Sequence, residues 1–144
     1  MKLKTKSRYD KVFYLATPYT HLDPSVKKHR ADVAMKAAVD LLRHGVYVFS
    51  PIAYNAPMEQ HDLPSDWEFW EDYDKAFVRR CDALLVLKMD GWDRSVGVQA
   101  EIDYAREISM PVFYITEEDI EIGRVDFLFS DEMRAPLFDS NDKL

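Results

Sequence analysis

The sequence predicts an α/β protein: a doubly wound sheet of about five mostly parallel strands with helices on both faces. Three observations predict it. A β-type run at 11–16, a long amphipathic stretch at 24–44 and a second β-type run at 46–49 follow one another. That is the order of a right-handed parallel crossover. The run Ala83-Leu84-Leu85-Val86-Leu87 is apolar without alternation, which suits a parallel strand covered on both faces. A turn and a helical pattern come directly after it, so a ligand crevice is expected at that strand's carboxyl end.

The elements follow in order. Residues 1–10 are polar and basic, a loose lead-in. The strand at 11–16 should be central, and it exits into Thr17-Pro18-Tyr19-Thr20-His21, where Pro18 keeps Thr17 extended. Asp23-Pro24 reads as an N-cap with proline at the first helical position. Val33, Ala34, Ala37, Ala38 and Leu41 repeat at three and four, and Gly45 stops the helix near 44. Residues 50–66, with Pro51, Pro57 and Pro64, read as an irregular flap over the site. A helix is expected from Asp66 to about Cys81, the third strand at 83–87, and a helix capped by Ser95 running to about Ile108. Residues 112–115 make the fourth strand, 117–122 a short helix and 127–129 a fifth strand at a sheet edge. The tail, 130–144, packs on a neighbour or frays.

Composition narrows the function. The 144 residues suit one domain with a real core, 47% of them hydrophobic. A net charge of −7 argues against a partner of polymeric nucleic acid. No run is long enough to span a membrane. The lone Cys81 excludes an internal disulfide and fits a reducing, cytoplasmic setting. His21, His29, His44 and His61 lack metal-ligand spacing, so neither a metal nor another cofactor is expected.

Two carboxylates stand where charges do not belong. With Glu101 at the zero of a helical wheel, Gly97, Val98, Tyr104, Ala105 and Ile108 fall within roughly 60° of it. With Asp74 at zero, Trp67, Trp70, Phe77, Val78 and Cys81 do the same. An acid inside an apolar stripe reaches a polar cavity, pairs with a buried cation or loses its charge. The wheel alone leaves those alternatives open. Two such acids, on the helices before and after one buried strand, suggest a shared cavity. Paired carboxylates with aromatics suit chemistry at a sugar's anomeric carbon. Trp67, Trp70, Trp92 and Tyr19 are candidates to stack a flat base, or are ordinary core. Ser95 caps a helix whose amides suit an anion or a sugar hydroxyl. Gly97 admits a ligand close to the helix, or eases packing. With four glycines, the chain carries no Gly-rich phosphate loop.

Three segments carry a family resemblance: Phe13-Tyr14-Leu15-Ala16, Asp74 with Asp82-Ala83-Leu84-Leu85-Val86, and Ser95-Val96-Gly97-Val98-Gln99-Ala100-Glu101. Over 13–115 the chain resembles the nucleoside 2-deoxyribosyltransferase superfamily, most of all its deoxyribosyltransferase-like branch, near the nucleoside-5′-monophosphate N-glycosidases. The resemblance implies a flavodoxin-like fold, a small-molecule nucleoside or nucleotide as substrate, and a homodimer or homotetramer. It implies Glu101 as the nucleophile, Asp74 as the carboxylate that assists base departure, and Tyr14 as the group that holds Glu101 ready. Ser95 stands where the transferases have Asp, which leans the substrate towards a 5′-phosphate. Thr17-Pro18-Tyr19-Thr20 departs from the small, Gly-rich loop of the N-glycosidases, so Arg30 or Arg94 would have to supply positive charge. A catalytically inactive protein that binds or senses a nucleotide through the same pocket is the alternative.

Overall fold

The computed structural model describes residues 11–64 and 66–129. The expectations for the lead-in and the tail lie outside the described residues. Four strands form one parallel sheet: β1 (Val12–Ala16), β2 (Tyr47–Phe49), β3 (Ala83–Leu87) and β4 (Val112–Ile115), in the order β2-β1-β3-β4. The helices are α1 (Pro24–Arg43), α2 (Pro51–Asn55), α3 (Trp67–Val78), α4 (Val96–Glu107) and α5 (Glu117–Glu121). This is a doubly wound, flavodoxin-like α/β architecture.

Alternation along the strands separates two cores. Phe13 and Leu15 of β1, with Ala83, Leu85 and Leu87 of β3, pack with Ala37 and Leu41 of α1 and Ile120 of α5. Tyr14 and Ala16, with Leu84 and Val86, pack with Val78 of α3 and Val98, Ile102 and Ala105 of α4. All five β3 residues are buried, as an apolar run covered on both faces should be.

Local chemistry starts each helix. The Asp23 carboxylate accepts from the Ser25 N–H at 2.9 Å, with proline at the first turn of α1. The Ser95 hydroxyl accepts from the Val98 N–H at 3.2 Å at the start of α4. Thr116 and Asp119 form a reciprocal capping box on α5.

Three expectations need correction. Among the described residues the sheet has four strands, because 127–129 belongs to a 3-10 helix, Asp126–Phe129. There the Leu128 N–H donates to the Val125 carbonyl at 3.0 Å, and Leu128 and Phe129 enter the core by a local turn rather than by pairing with β4. The segment 50–66 borders the site as expected, through Pro51, Asn55 and Glu59 among others, but it is not irregular. It contains α2 and a 3-10 helix, Ala56–His61. Pro51 and Pro57 sit in the first turns of these helices, where a missing N–H breaks no bond. Finally, α3 ends at Val78 rather than Cys81, closed by the Arg79 N–H on the Lys75 carbonyl.

The order of the strands positions the site. The chain leaves β1 towards β2, then returns to β3 on the other side of β1. Loops from β1 and β3 therefore diverge at their carboxyl ends and open a crevice there. Among the described residues no helix is long and apolar enough to cross a membrane.

Candidate active site

A cavity of about 660 Å³ occupies that crevice. Thr17 and Tyr19 enter it after β1, Pro51 and Asn55 after β2, and Asp90, Gly91 and Ser95 after β3. Trp67, Trp70 and Asp74 of α3, and Gly97 and Glu101 of α4, form the wall. The described residues include six buried polar or charged side chains, and four of them, Thr17, Asn55, Asp74 and Glu101, line this one space. Buried polar groups need partners. Yet Thr17 Oγ1 and Asp74 Oδ1 are buried and have none among the described residues.

The centre of the site is a buried triad. Tyr14 is completely inaccessible, on the α3–α4 face of β1, and its phenol donates to Glu101 Oε2 at 2.7 Å. Glu101 is 5% exposed and Asp74 8%. Burial pushes the Glu101 carboxyl well above its usual range, and the neighbouring Asp74 charge pushes it further, against the opposing effect of the Tyr14 bond. Burial raises Asp74 to about 6, opposed by its hydrogen bond with Glu101. The two acids thus lie within reach of one shared proton, since two adjacent buried carboxylates do not both ionise readily. Tyr14 is itself raised, by burial and then by the Glu101 charge, so its phenol stays protonated and remains a donor.

The other expected residues divide. Thr17, Tyr19, Trp67, Trp70, Ser95 and Gly97 all line the cavity. Trp92 does not line it. Its ring lies edge-on to Tyr114 at 5.7 Å in the core behind α4, and its carbonyl accepts from the Gln99 side chain. A tryptophan in a turn beside a site has the composition of a ligand platform, but here the turn folds its ring back onto the sheet. Gly97 faces Trp67, whose Cε3 is 3.5 Å from where a Cβ would stand, so helix–helix packing accounts for part of its smallness. On α4 the wheel included Ile108, which is 38% exposed, and passed over Ile102, which is 3% exposed. The helix is covered by both the sheet and α3, and that burial is wider than one stripe.

Both candidate arginines line the cavity, but they differ in their partners. The Arg94 side chain is 71% exposed, between Asp90 and Asp93. Arg30 lies against Gly91 with Nη1 donating to the Thr20 carbonyl at 2.9 Å, and it has no carboxylate within ion-pair distance among the described residues. Gly91 has φ +93, a backbone conformation that favours glycine, and the Arg30 guanidinium fills the space where a Cβ would stand. Two further residues at the cavity, Asn55 of the segment expected over the site and Glu59, were not among the expected site residues. Tyr73 donates to Asn55 Oδ1 at 3.2 Å, while Tyr19 (3.1 Å) and Lys27 (2.9 Å) both bind Glu59 Oε1. Asn55 ends α2 and Glu59 lies in the 3-10 helix that follows, so no helical repeat in the sequence links them. No group of three or more metal-ligating side chains gathers among the described residues.

The family described as DUF1937, a domain of unknown function, matches residues 11–117, and the chain belongs to that family. No curated protein matches the chain.

Proposed function

We propose that this member of the DUF1937 family is an enzyme acting at the N-glycosidic bond of a (deoxy)nucleoside 5′-monophosphate or nucleoside, with Glu101 as a retaining nucleophile. The observation that carries the reading is the buried Tyr14–Glu101–Asp74 grouping on the wall of a nucleotide-sized cavity. The resemblance to nucleoside 2-deoxyribosyltransferases, drawn from the sequence, supports the same roles.

The chemistry follows from the shared proton. Before substrate binds, burial favours one proton held between the Glu101 and Asp74 carboxyls. A bound substrate that brings its leaving base to Asp74 draws the proton onto that carboxyl. Glu101, now ionised and oriented by Tyr14, attacks the anomeric carbon. The bond between that carbon and the base nitrogen breaks, its electron pair stays with the base, and Asp74 delivers the proton there. Asp74 then takes a proton from water, or from an acceptor base, which attacks the same carbon and frees Glu101.

Arg30, the buried hydroxyl of Thr17 and the amide end of α4 at Ser95 support a phosphate-bearing substrate, because a guanidinium with no carboxylate partner among the described residues is matched by an anion. Incubation with a panel of nucleosides and their monophosphates, followed by chromatography for free base, tests the proposal. Release that disappears in Glu101→Gln is the expected result. Nucleotide binding without release by the wild type would instead favour the sensing role.

A further inference from the structure

We infer that Asn55 and Glu59 read the edge of the leaving base, and that they select a base bearing an exocyclic amino group beside a ring acceptor nitrogen, as in adenine or cytosine. The inference rests on the function proposed above and names the substrate class for that site.

Both residues line the cavity, four positions apart on the segment that follows β2. Each is fixed through one atom and unspent at another. Asn55 is 7% exposed, and the Tyr73 phenol holds its Oδ1 at 3.2 Å. Its Nδ2, with two N–H donors, has no partner among the described residues. Glu59 Oε1 receives both the Tyr19 phenol and the Lys27 ammonium, whereas Oε2 receives nothing from the described residues. The Lys27 ammonium also lies 5.0 Å from the Tyr19 ring centroid, which fastens α1, the loop after β1 and the 3-10 segment together. Burial and the Glu59 charge push the Tyr19 phenol up to about 12, so it remains a donor to Glu59. The cavity thus offers an amide donor and a carboxylate acceptor, both pre-oriented from behind.

That pair has a defined complement. A carboxylate only accepts, so the atom facing Glu59 must be an N–H. A carbonyl oxygen there would place two acceptors against each other and leave both without a donor. The Asn55 amide meanwhile donates to an unprotonated ring nitrogen. Adenine and cytosine present an amino donor beside an acceptor nitrogen on one edge. Hypoxanthine and uracil replace that amino group by a carbonyl and protonate the adjacent nitrogen, which inverts the pattern.

The experiment uses two matched pairs: adenosine and inosine 5′-monophosphates, and deoxycytidine and deoxyuridine 5′-monophosphates. Affinities are measured by calorimetry on Glu101→Gln protein, and kcat/KM on the wild type. The amino member of each pair is expected to win by at least about tenfold in both measurements. Adding Glu59→Gln, which can turn an N–H towards a carbonyl, should bring the ratio within about threefold. Asn55→Asp, which removes the donor, should weaken the amino members most. Equal affinity within both pairs for the wild-type site, or a preference that survives Glu59→Gln, overturns the inference while leaving the proposed reaction standing. Failure of all four nucleotides to bind or react overturns both.

Discussion

Phe13 and Tyr14 are neighbours on β1, and both are wholly buried, yet they belong to different chemistries. Phe13 faces α1 and meets Phe113 edge-on at 6.1 Å, inside a cluster of apolar side chains. Tyr14 faces α3 and α4 and gives its hydroxyl to Glu101. One face of the sheet is built from apolar burial alone. The other holds two acids and a phenol that burial penalises. The contrast teaches that the sheet is a foundation whose apolar side stabilises what its opposite side destabilises.

The largest expected effect strikes the acid-bearing face. Glu101→Gln should cut base release by at least about 10⁴-fold, as loss of a nucleophile does. The same change should not lower the melting temperature, because it removes a buried ionisable group without changing shape. Activity that survived within tenfold would end the distinction between the two faces. Leu85→Ala strikes the other side. It should cost about 2–5 kcal/mol in urea unfolding, by lost burial and a cavity, while the molecules that remain folded keep their turnover. A normal stability with lost turnover would reverse the roles assigned to the faces.

The pH dependence of stability comes next. The Asp74 carboxyl rises from 3.8 to about 6 on folding, so between these values the native state holds a proton that the unfolded chain has released. Stability from this group therefore falls as pH rises through that window, by about 3 kcal/mol at most. The penalty is absent below pH 4 and complete above about 6. Asp74→Asn should gain on the wild type across this interval in unfolding curves taken at pH 4 and pH 7. A constant difference between the two proteins would show that Asp74 is not desolvated.

The smallest effect belongs to Tyr14→Phe, which costs about 1 kcal/mol of stability for one hydrogen bond. Its sharper signature lies in the rate profile. The Tyr14 bond lowers the Glu101 pKa, so its removal should move the acidic limb of activity to higher pH. An unmoved limb would assign Tyr14 a packing role like that of Phe13.

Much of this was legible before the fold. The strand and helix positions, the Ser95 and Asp23 caps and the inward turn of Asp74 and Glu101 follow from short-range pattern. The misreadings share a cause. Trp92, the segment 127–129 and the proline-bearing stretch after β2 lack a clear periodicity, so composition stood in for conformation. The roles of Asn55 and Glu59 depend on which of their atoms Tyr73, Tyr19 and Lys27 occupy. Those partners come from other elements of the fold.

The amino-acid order by itself determined which side of each helix and strand each residue occupies, because side-chain direction depends on a helical turn or a pleat of two. Only the tertiary structure decided that Asp74, Glu101 and Tyr14 meet, and that Arg30 arrives at Gly91 with no carboxylate partner among the described residues. Distances between elements depend on strand order and on packing across the whole sheet, and no local repeat encodes them.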